Sequence, residues 1–318
     1  MECVVSIVVV SYNTKELTLA CIRSIYRTIK KIEFEIIVVD NNSHDGTVES
    51  IHNEFKQVRI ISNRCNLGFA KANNQGVKIS TGKYILFLNP DTELCEGTLE
   101  NTLAYLEENQ DAGVVGCRAI LPDGRQQNTL LRFPSLLTII ITTFVPLKLR
   151  RQSRFFGRSR YIGIDLNKIQ SVDVVAGCYM LIKREVIQTV GAFDDDFFMY
   201  GEESELCFRI HKAGWKIYYY PYAKFIHVGG ASTKNITVAK TLMMAKGQLL
   251  LIQKTLGYPL LYLSNLMMFM RDFIFIAFLI CKYIFSKNKN DYFIKNVAPT
   301  AARFRLHFAQ LFRLSVPK

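Results

Sequence analysis

The chain has 318 residues, 49% of them hydrophobic and 21% charged, which is ample material for a core in one large domain with an appendage or in two domains. Its net charge of +13 is local: residues 239–318 hold twelve Lys/Arg against Asp272 and Asp291, residues 148–160 hold six with no acid, and everything else sums to about −3. A nucleic-acid binder would interleave basic residues with exposed aromatics over the folded core, so this distribution points instead to particular surfaces that meet something anionic.

The eight cysteines form no C-x-x-C pair, and several sit in apolar segments where a thiol acts as a small hydrophobe, which excludes a zinc site and fits a reducing compartment. Residues 4–10 are nearly all apolar but lack a basic leader and a cleavage site. They are a first buried strand rather than a signal peptide. Asn13 with Glu16 three residues on predicts a capped helix start, with Leu17, Cys21, Ile25 and Thr28 on one face. A second strand over 35–39 leads into the polar run Asp40-Asn41-Asn42-Ser43-His44-Asp45-Gly46-Thr47, then a helix with Val48, Ile51 and Phe55 inward. A third short strand covers 58–62, and 66–76 predicts a helix of small residues able to lie close to a ligand or to the sheet.

Tyr84-Ile85-Leu86-Phe87-Leu88 is apolar without alternation and too short for a helix, so it reads as a strand buried on both faces. Pro90 cannot donate to the ladder, and Asp91 therefore emerges at the strand's carboxyl end, where ligands bind in open α/β sheets. Asp91 and Glu93 on a rigid strand end suit a divalent cation and, through it, nucleotide phosphates; Asn, Pro, Asp and Thr are equally ordinary turn formers. A helix with Leu99, Leu103 and Leu106 and a strand over 113–117 follow. Strand and helix alternate in units of roughly thirty residues, the pattern of right-handed crossovers in a mainly parallel sheet.

After Asp123-Gly124 the pattern loosens, and the apolar run 136–147 predicts a flexible or membrane-touching excursion. One strand is predicted over 172–183, an aromatic and acidic loop over 193–200, and a helix opened by Gly201-Glu202-Glu203-Ser204-Glu205 with Leu206, Ile210 and Ala213 inside. Acids in that first turn suit the helix dipole. Short strands over 215–220 and 224–228 bring His227 in front of Gly229-Gly230. The apolar runs 259–270 and 273–285, divided by Arg271-Asp272, each fall short of a span, which predicts helices in the membrane plane or a hairpin at its surface. Phe304, Phe308, Leu311 and Phe312 with Arg303, Arg305 and Arg313 predict a basic amphipathic helix suited to an anionic leaflet.

In order, Val8-Val9-Val10-Ser11-Tyr12-Asn13, Ile37-Val38-Val39-Asp40-Asn41-Asn42-Ser43, Asn66-Leu67-Gly68-Phe69, Leu88-Asn89-Pro90-Asp91-Thr92, Gly201-Glu202-Glu203 and His227-Val228-Gly229-Gly230 resemble an inverting family 2 glycosyltransferase of the GT-A fold, most closely its rhamnosyltransferase-like subgroup. Each motif is weak alone; six in this order over about residues 4–232 are specific. The resemblance implies a Rossmann-like, mainly parallel mixed sheet flanked by helices as a catalytic domain over 1–235; the apolar runs and basic residues after it predict a basic, hydrophobic, membrane-associated helical tail over 236–318. It implies nucleotide-sugar binding by Ser11, Tyr12, Asp40, Asn66, Gly68 and Asp91, and a divalent metal (Mg2+ or Mn2+) on Asp91 and His227. Asn89 stands where the family often has the first acid of a D-x-D motif, so the metal rests on Asp91. Glu203 occupies the position of the family's catalytic aspartate base, one methylene longer, and Glu205 a second usual Asp position.

The function so implied is transfer of rhamnose or a similar hexose from a dTDP- or UDP-sugar to a glycan or polyprenyl-linked acceptor, at the cytoplasmic face of the cell membrane, with no nucleic-acid partner. A nucleotidyltransferase would need a Gly-rich, basic phosphate loop after the first strand, which Ser11-Tyr12-Asn13-Thr14 is not. The other alternative is a non-catalytic basic protein that binds membrane or nucleic acid.

Overall fold

The computed structural model describes residues 3–229, 237–284 and 293–312. The expected 235/236 boundary, Gly230 of the last motif, Phe285 and Arg313 lie outside the described residues. In chain order the elements are β1 (Val5–Ser11), α1 (Lys15–Thr28), β2 (Phe34–Asp40), α2 (Thr47–Glu54), β3 (Arg59–Ser62), α3 (Phe69–Ile79), β4 (Tyr84–Leu88), β5 (Thr92–Leu94), α4 (Thr98–Glu108) and β6 (Ala112–Ile120). There follow β7 (Gln126–Gln127), β8 (Leu130–Leu131), α5 (Leu136–Phe144), α6 (Leu147–Gln152), β9 (Gln170–Val172), β10 (Val174–Val175), β11 (Tyr179–Lys183), α7 (Arg184–Val190), α8 (Glu202–Lys212), β12 (Lys216–His227), α9 (Thr237–Ile284) and α10 (Ala298–Leu311).

The chain divides into two compact units, the first made of Met1–Phe133, Ile164–Phe198 and Glu202–Ser232. Its main sheet runs β3-β2-β1-β4-β11-β6-β12-β5. The first four strands are parallel, as expected; β11 then enters antiparallel between β4 and β6, and the sheet is mixed. Alternate residues of the parallel strands feed two faces. Ile7, Val9, Val38 and Leu86 pack with Cys21, Ile25, Ile51 and Leu103 from α1, α2 and α4, while Val10, Ile37 and Val39 pack with Ala72 of α3. Helices thus cover both faces of a sheet whose central strands are wholly buried, each such side chain contributing about 1.5–3 kcal/mol.

Local expectations changed where long-range contacts outcompeted them. Asn13 does not cap α1: Thr14 holds that position without a side-chain cap, and Asn13 Oδ1 accepts from His44 N at 2.8 Å, stitching the β1 loop to the β2 loop. Leu17 is only half-buried and Ala213 is exposed, so the inner faces of α1 and α8 lie slightly rotated from their predicted positions. The single strand predicted over 172–183 is three short strands, and α7 follows it. The two strands predicted over 215–228 are one twelve-residue strand, with Pro221 inside the register shift between Tyr220 and Lys224, where no ladder donor is needed.

The second unit comprises Pro134–Gly163, Met199–Gly201 and Thr233–Lys318. The predicted excursion over 136–147 is helical through Phe144: Ser135 and Thr138 form a capping box, and Ile139 and Ile141 are buried. Ile139 packs with Leu249, Ile252 and Met268 of α9 and Leu306 of α10. α9 breaks at Gly257 (φ 81°, ψ 176°), two residues before Pro259, and not at the charged pair. Arg271-Asp272 instead lies inside an unbroken helical stretch, because Asp272 is wholly buried and ion-paired. By length and composition α9 is able to cross a membrane: within Val238–Ile284 an 18-residue window reaches a mean hydropathy of 1.7.

Candidate active site

Because β1, β2 and β4 are parallel, their carboxyl ends place three loops along one edge of the sheet. Ser11 and Asp40 lie opposite each other in register. The Ser11 hydroxyl turns away from the loops, into a cluster with Thr14 and Thr18 at 3.2 and 3.1 Å, so only its backbone faces the edge, accepting from Asn41 N at 2.8 Å. Tyr12 follows, half-buried. Asp40 is 2% exposed; its Oδ2 accepts from Ser43 N at 2.9 Å, while its Oδ1 is buried without a hydrogen-bond partner among the described residues. A buried carboxylate oxygen left without a donor is costly to fold around unless a ligand donates to it.

Asn41, which the sequence reading passed over as part of a motif, is the joint between loops. Its Nδ2 donates to Gly68 O at 3.1 Å, and its Oδ1 accepts from Asn63 Nδ2 at 3.0 Å. Asn66 Oδ1 accepts from Gly68 N at 2.9 Å. Gly68 has φ +84°, and a Cβ there would stand 2.3 Å from Phe198 O. Its missing side chain therefore admits the 193–198 loop, whose Phe198 O also accepts from Phe69 N at 2.6 Å. Asn74 ties the same loop down, donating to Phe193 O and Asp195 Oδ1, both at 2.7 Å.

The carboxylate pair anticipated at Asp91 and Glu93 does not form. Glu93 lies on β5 and pairs with Arg27 at 3.8 Å. The partner of Asp91 is His227, with Oδ1 to Nε2 at 3.3 Å, since β5 and β12 pair with Thr92 opposite His227. Both are nearly buried, at 8% and 9%. His227 Nδ1 meets Gln127 Oε1 at 2.7 Å. With that oxygen taking the Nδ1 hydrogen, a neutral imidazole turns its Nε2 lone pair to a carboxylate, and two acceptors at 3.3 Å are held together by a cation or a second proton. One carboxylate and one oriented imidazole fit two positions of a divalent cation, the rest falling to oxygen ligands. Among the described residues no group of three or more His, Cys, Asp or Glu gathers for a metal, so those oxygens would come from elsewhere.

Glu203 lies in the first turn of α8, half-buried, with its Cβ 3.8 Å from the position a Cβ on Gly177 would take. The buried Cys178 thiol is pushed up to about 12 by burial first, then by Asp91, with Glu203 adding. Asp91 and Glu203 therefore act on one common neighbour. Glu202, beside it, is 5% exposed, its Oε2 has no partner among the described residues, and burial, then Glu203, hold its carboxyl well above the usual range. Glu205 is structural: it takes Arg209 at 2.8 Å, and Arg209 donates on to the carbonyls of Val190, Gly191 and Ala192 at the carboxyl end of α7. Gln127 carried no sequence signal as a site residue and Glu202 was marked only as a member of the Gly201-Glu202-Glu203 motif, since the one acquires its role from a neighbour remote in sequence and the other from burial.

A family model described as Glycosyl transferase family 2 matches residues 6–191. An N-acetylglucosaminyl-diphospho-decaprenol L-rhamnosyltransferase of Mycobacterium tuberculosis is 26% identical over 217 residues, 62% of this chain and 67% of the relative. Among solved structures, the mannosyltransferase PcManGT from Pyrobaculum calidifontis in complex with GDP-Man and Mn2+ aligns with a TM-score of 0.59 at 17% identity, over 99% of this chain and 89% of its own. GalNAc-T7 with UDP, GalNAc and Mn2+ aligns with a TM-score of 0.53 at 17% identity, over 71% of this chain; the chain covers 43% of that protein. At these identities the two structures establish likeness of fold.

Proposed function

The chain belongs to glycosyl transferase family 2, with a GT-A-type α/β fold, and we propose that it is an inverting hexosyltransferase moving rhamnose or a similar sugar from a dTDP- or UDP-sugar to a glycan or lipid-linked acceptor in cell-surface polysaccharide synthesis. The observation that carries the reading is the buried, unpartnered Oδ1 of Asp40 on the same sheet edge as the Asp91–His227 pair. A base or ribose donor group satisfies the first, and the diphosphate lies towards the second.

In this reading Asp40 accepts a hydrogen bond from the nucleoside, and backbone groups after Ser11 and at Gly68 line it. Asp91 and His227 would hold the divalent metal, which when bound offsets negative charge developing on the departing diphosphate. Glu203 takes the proton of the acceptor hydroxyl as that oxygen bonds to the anomeric carbon, while the bond to the diphosphate breaks on the opposite face and configuration inverts. Burial and then Glu203 raise the Glu202 carboxyl well above its usual range, which favours its uncharged form beside the base. The M. tuberculosis relative is named for a lipid-diphosphate acceptor, and a long apolar α9 with the local excess of Lys/Arg fits work at the cytoplasmic face of a membrane.

The test is a donor screen on the purified chain with dTDP-rhamnose and UDP-hexoses, with and without Mg2+ or Mn2+, reading nucleoside diphosphate release. Turnover of one donor above the rest is expected. No release from any donor, with metal and a lipid-linked glycan present, would overturn the reading.

A further inference from the structure

Gly247 is buried inside α9, and a Cβ added to it would overlap Tyr200 O and stand 3.0 Å from Tyr200 C and 3.2 Å from Met199 O. Residues 199–201 and α9 belong to the same unit. No side chain fits in that space, so the Tyr200 carbonyl rests directly on the backbone of the helix. Glycine in a helix interior is unfavourable against alanine, and what it offers in return is this close approach of a second backbone.

The peptide held there is strained. Tyr200 has φ +74°, the left-handed region that a bulky side chain rarely adopts, and Gly201 follows at φ +102°. Such a conformation persists where its surroundings fix it. Gly201 is bonded to Glu202, the first residue of α8, and Glu203 comes next. Turning the 200–201 peptide therefore re-aims the helical turn that carries both carboxylates. The other side of α9 is occupied as well. Ala245 and Leu249 each lie two residues from Gly247, hence on the opposite side of the helix, and they pack with Ile252, Ile139, Met268 and Leu306. Helix α9 cannot retreat from Tyr200 without compressing that cluster, so a side chain at 247 displaces the peptide instead.

We propose that Gly247 is a positioning residue for the transfer step: by seating the Tyr200 carbonyl on α9 it fixes the entry of the chain into α8, and so sets where the Glu203 carboxylate meets the acceptor hydroxyl. This rests on the reading of Glu203 as the base. The stretch of α9 before its break at Gly257 then does more than offer an apolar surface, since it holds the segment from which the base projects.

The experiment substitutes Gly247→Ala in the full chain and follows nucleoside diphosphate release from the best donor of the screen, in the parent and in a Glu203→Gln background. Gln248→Ala, at an exposed position of the same helix, is the control and should match the parent. In Gly247→Ala, kcat should fall roughly 10- to 100-fold with KM for the nucleotide-sugar unchanged, the scale expected when a reacting group is misplaced by about 1 Å. In the Glu203→Gln chain the same substitution should cost nothing more, because both act through one proton transfer. Alanine is the better helix former, so α9 itself is not weakened, and melting curves check the fold. Tyr200→Gly, which frees the φ that the contact holds, is the second variant should the first melt early, with the same split between kcat and KM expected. An unchanged kcat overturns the proposal. So does a loss that appears in KM or multiplies with that of Glu203→Gln, either of which marks a general structural contact. Hydrogen exchange over residues 199–205 needs no turnover: it should quicken in Gly247→Ala, and equal protection in parent and variant also overturns the proposal. Absence of release by the parent from any donor defeats the glycosyltransferase reading, and the exchange result then judges by itself whether Gly247 holds this segment.

Discussion

Asp91 Oδ1 and His227 Nε2 stand 3.3 Å apart although one residue follows β4 and the other closes β12, and Gln127 on β7 fixes the ring from behind at 2.7 Å. The hydrogen bond to Gln127 sets which nitrogen faces the carboxylate. Gln127→Leu frees that orientation and is expected to raise the Mn2+ concentration for half-maximal donor turnover by roughly 10- to 100-fold, the usual cost of losing a ligand's outer partner. A metal titration of nucleoside diphosphate release measures it, and an unshifted midpoint would remove Gln127 from the site.

Asp40 keeps one oxygen on Ser43 N and leaves the other without a partner among the described residues. Asp40→Asn retains an acceptor for the first and puts a donor where the ligand is expected to donate. KM for the nucleotide-sugar should rise by about tenfold or more with kcat altered far less, as for loss of a binding contact. Steady-state kinetics at saturating acceptor decide; an unchanged KM counts against the nucleoside role.

Glu203→Gln keeps the shape of the proposed base and removes its function. Turnover should fall by roughly 10²–10⁴-fold while the dissociation constant of the nucleoside diphosphate, read by calorimetry, stays in place. Glu203→Asp restores the shorter side chain usual at this position in the family and should retain more activity than Gln. A Gln variant as active as the parent refutes the assignment.

Glu202 carries a pH signature. Its folded-state pKa is raised, by burial first and Glu203 second, so the folded chain binds its proton more tightly than the unfolded chain. Its contribution is complete below the unfolded carboxyl pKa of about 4.3 and shrinks as pH rises towards the folded value. The melting temperature should therefore drop as pH rises above the unfolded carboxyl pKa of about 4.3, and Glu202→Gln should flatten that drop. Melting curves across this range test it; parallel slopes in parent and variant would show that Glu202 is not the group responsible.

Gly68→Ala tests the loop joint. The new Cβ meets Phe198 O at 2.3 Å, and φ +84° strains any L side chain. A loss of about 1–3 kcal/mol is expected, together with faster proteolysis within residues 193–198. Unchanged stability would mean that the loop does not rest on this glycine.

Much of the first unit was legible because its signals are local. Five unbroken apolar residues before Asn89-Pro90 made β4 a buried strand that ends where Asp91 begins, and similar runs marked β1 and β2. Adjacent polar runs therefore had to lie at the carboxyl edge. Less legible were features set by pairing across the chain. Nothing in Gln126-Gln127 marks a partner for His227, and Glu93 looked like a second ligand until Arg27 claimed it. Asn13 matched a helix cap but found His44 N, because a loop-to-loop bond was available where a cap was optional.

The sequence by itself determined the order of strands and helices, the carboxylates at strand ends and the concentration of positive charge in two stretches, since each follows from the side chains of neighbouring residues. Only the tertiary structure decided that Asp91 answers to His227 rather than Glu93, that Asp40 keeps an oxygen unpartnered among the described residues, and that Arg271 and Arg303 share one buried carboxylate, Asp272. Those outcomes depend on which distant groups are driven out of water together, and the energy of a buried charge is set by the neighbours it then meets.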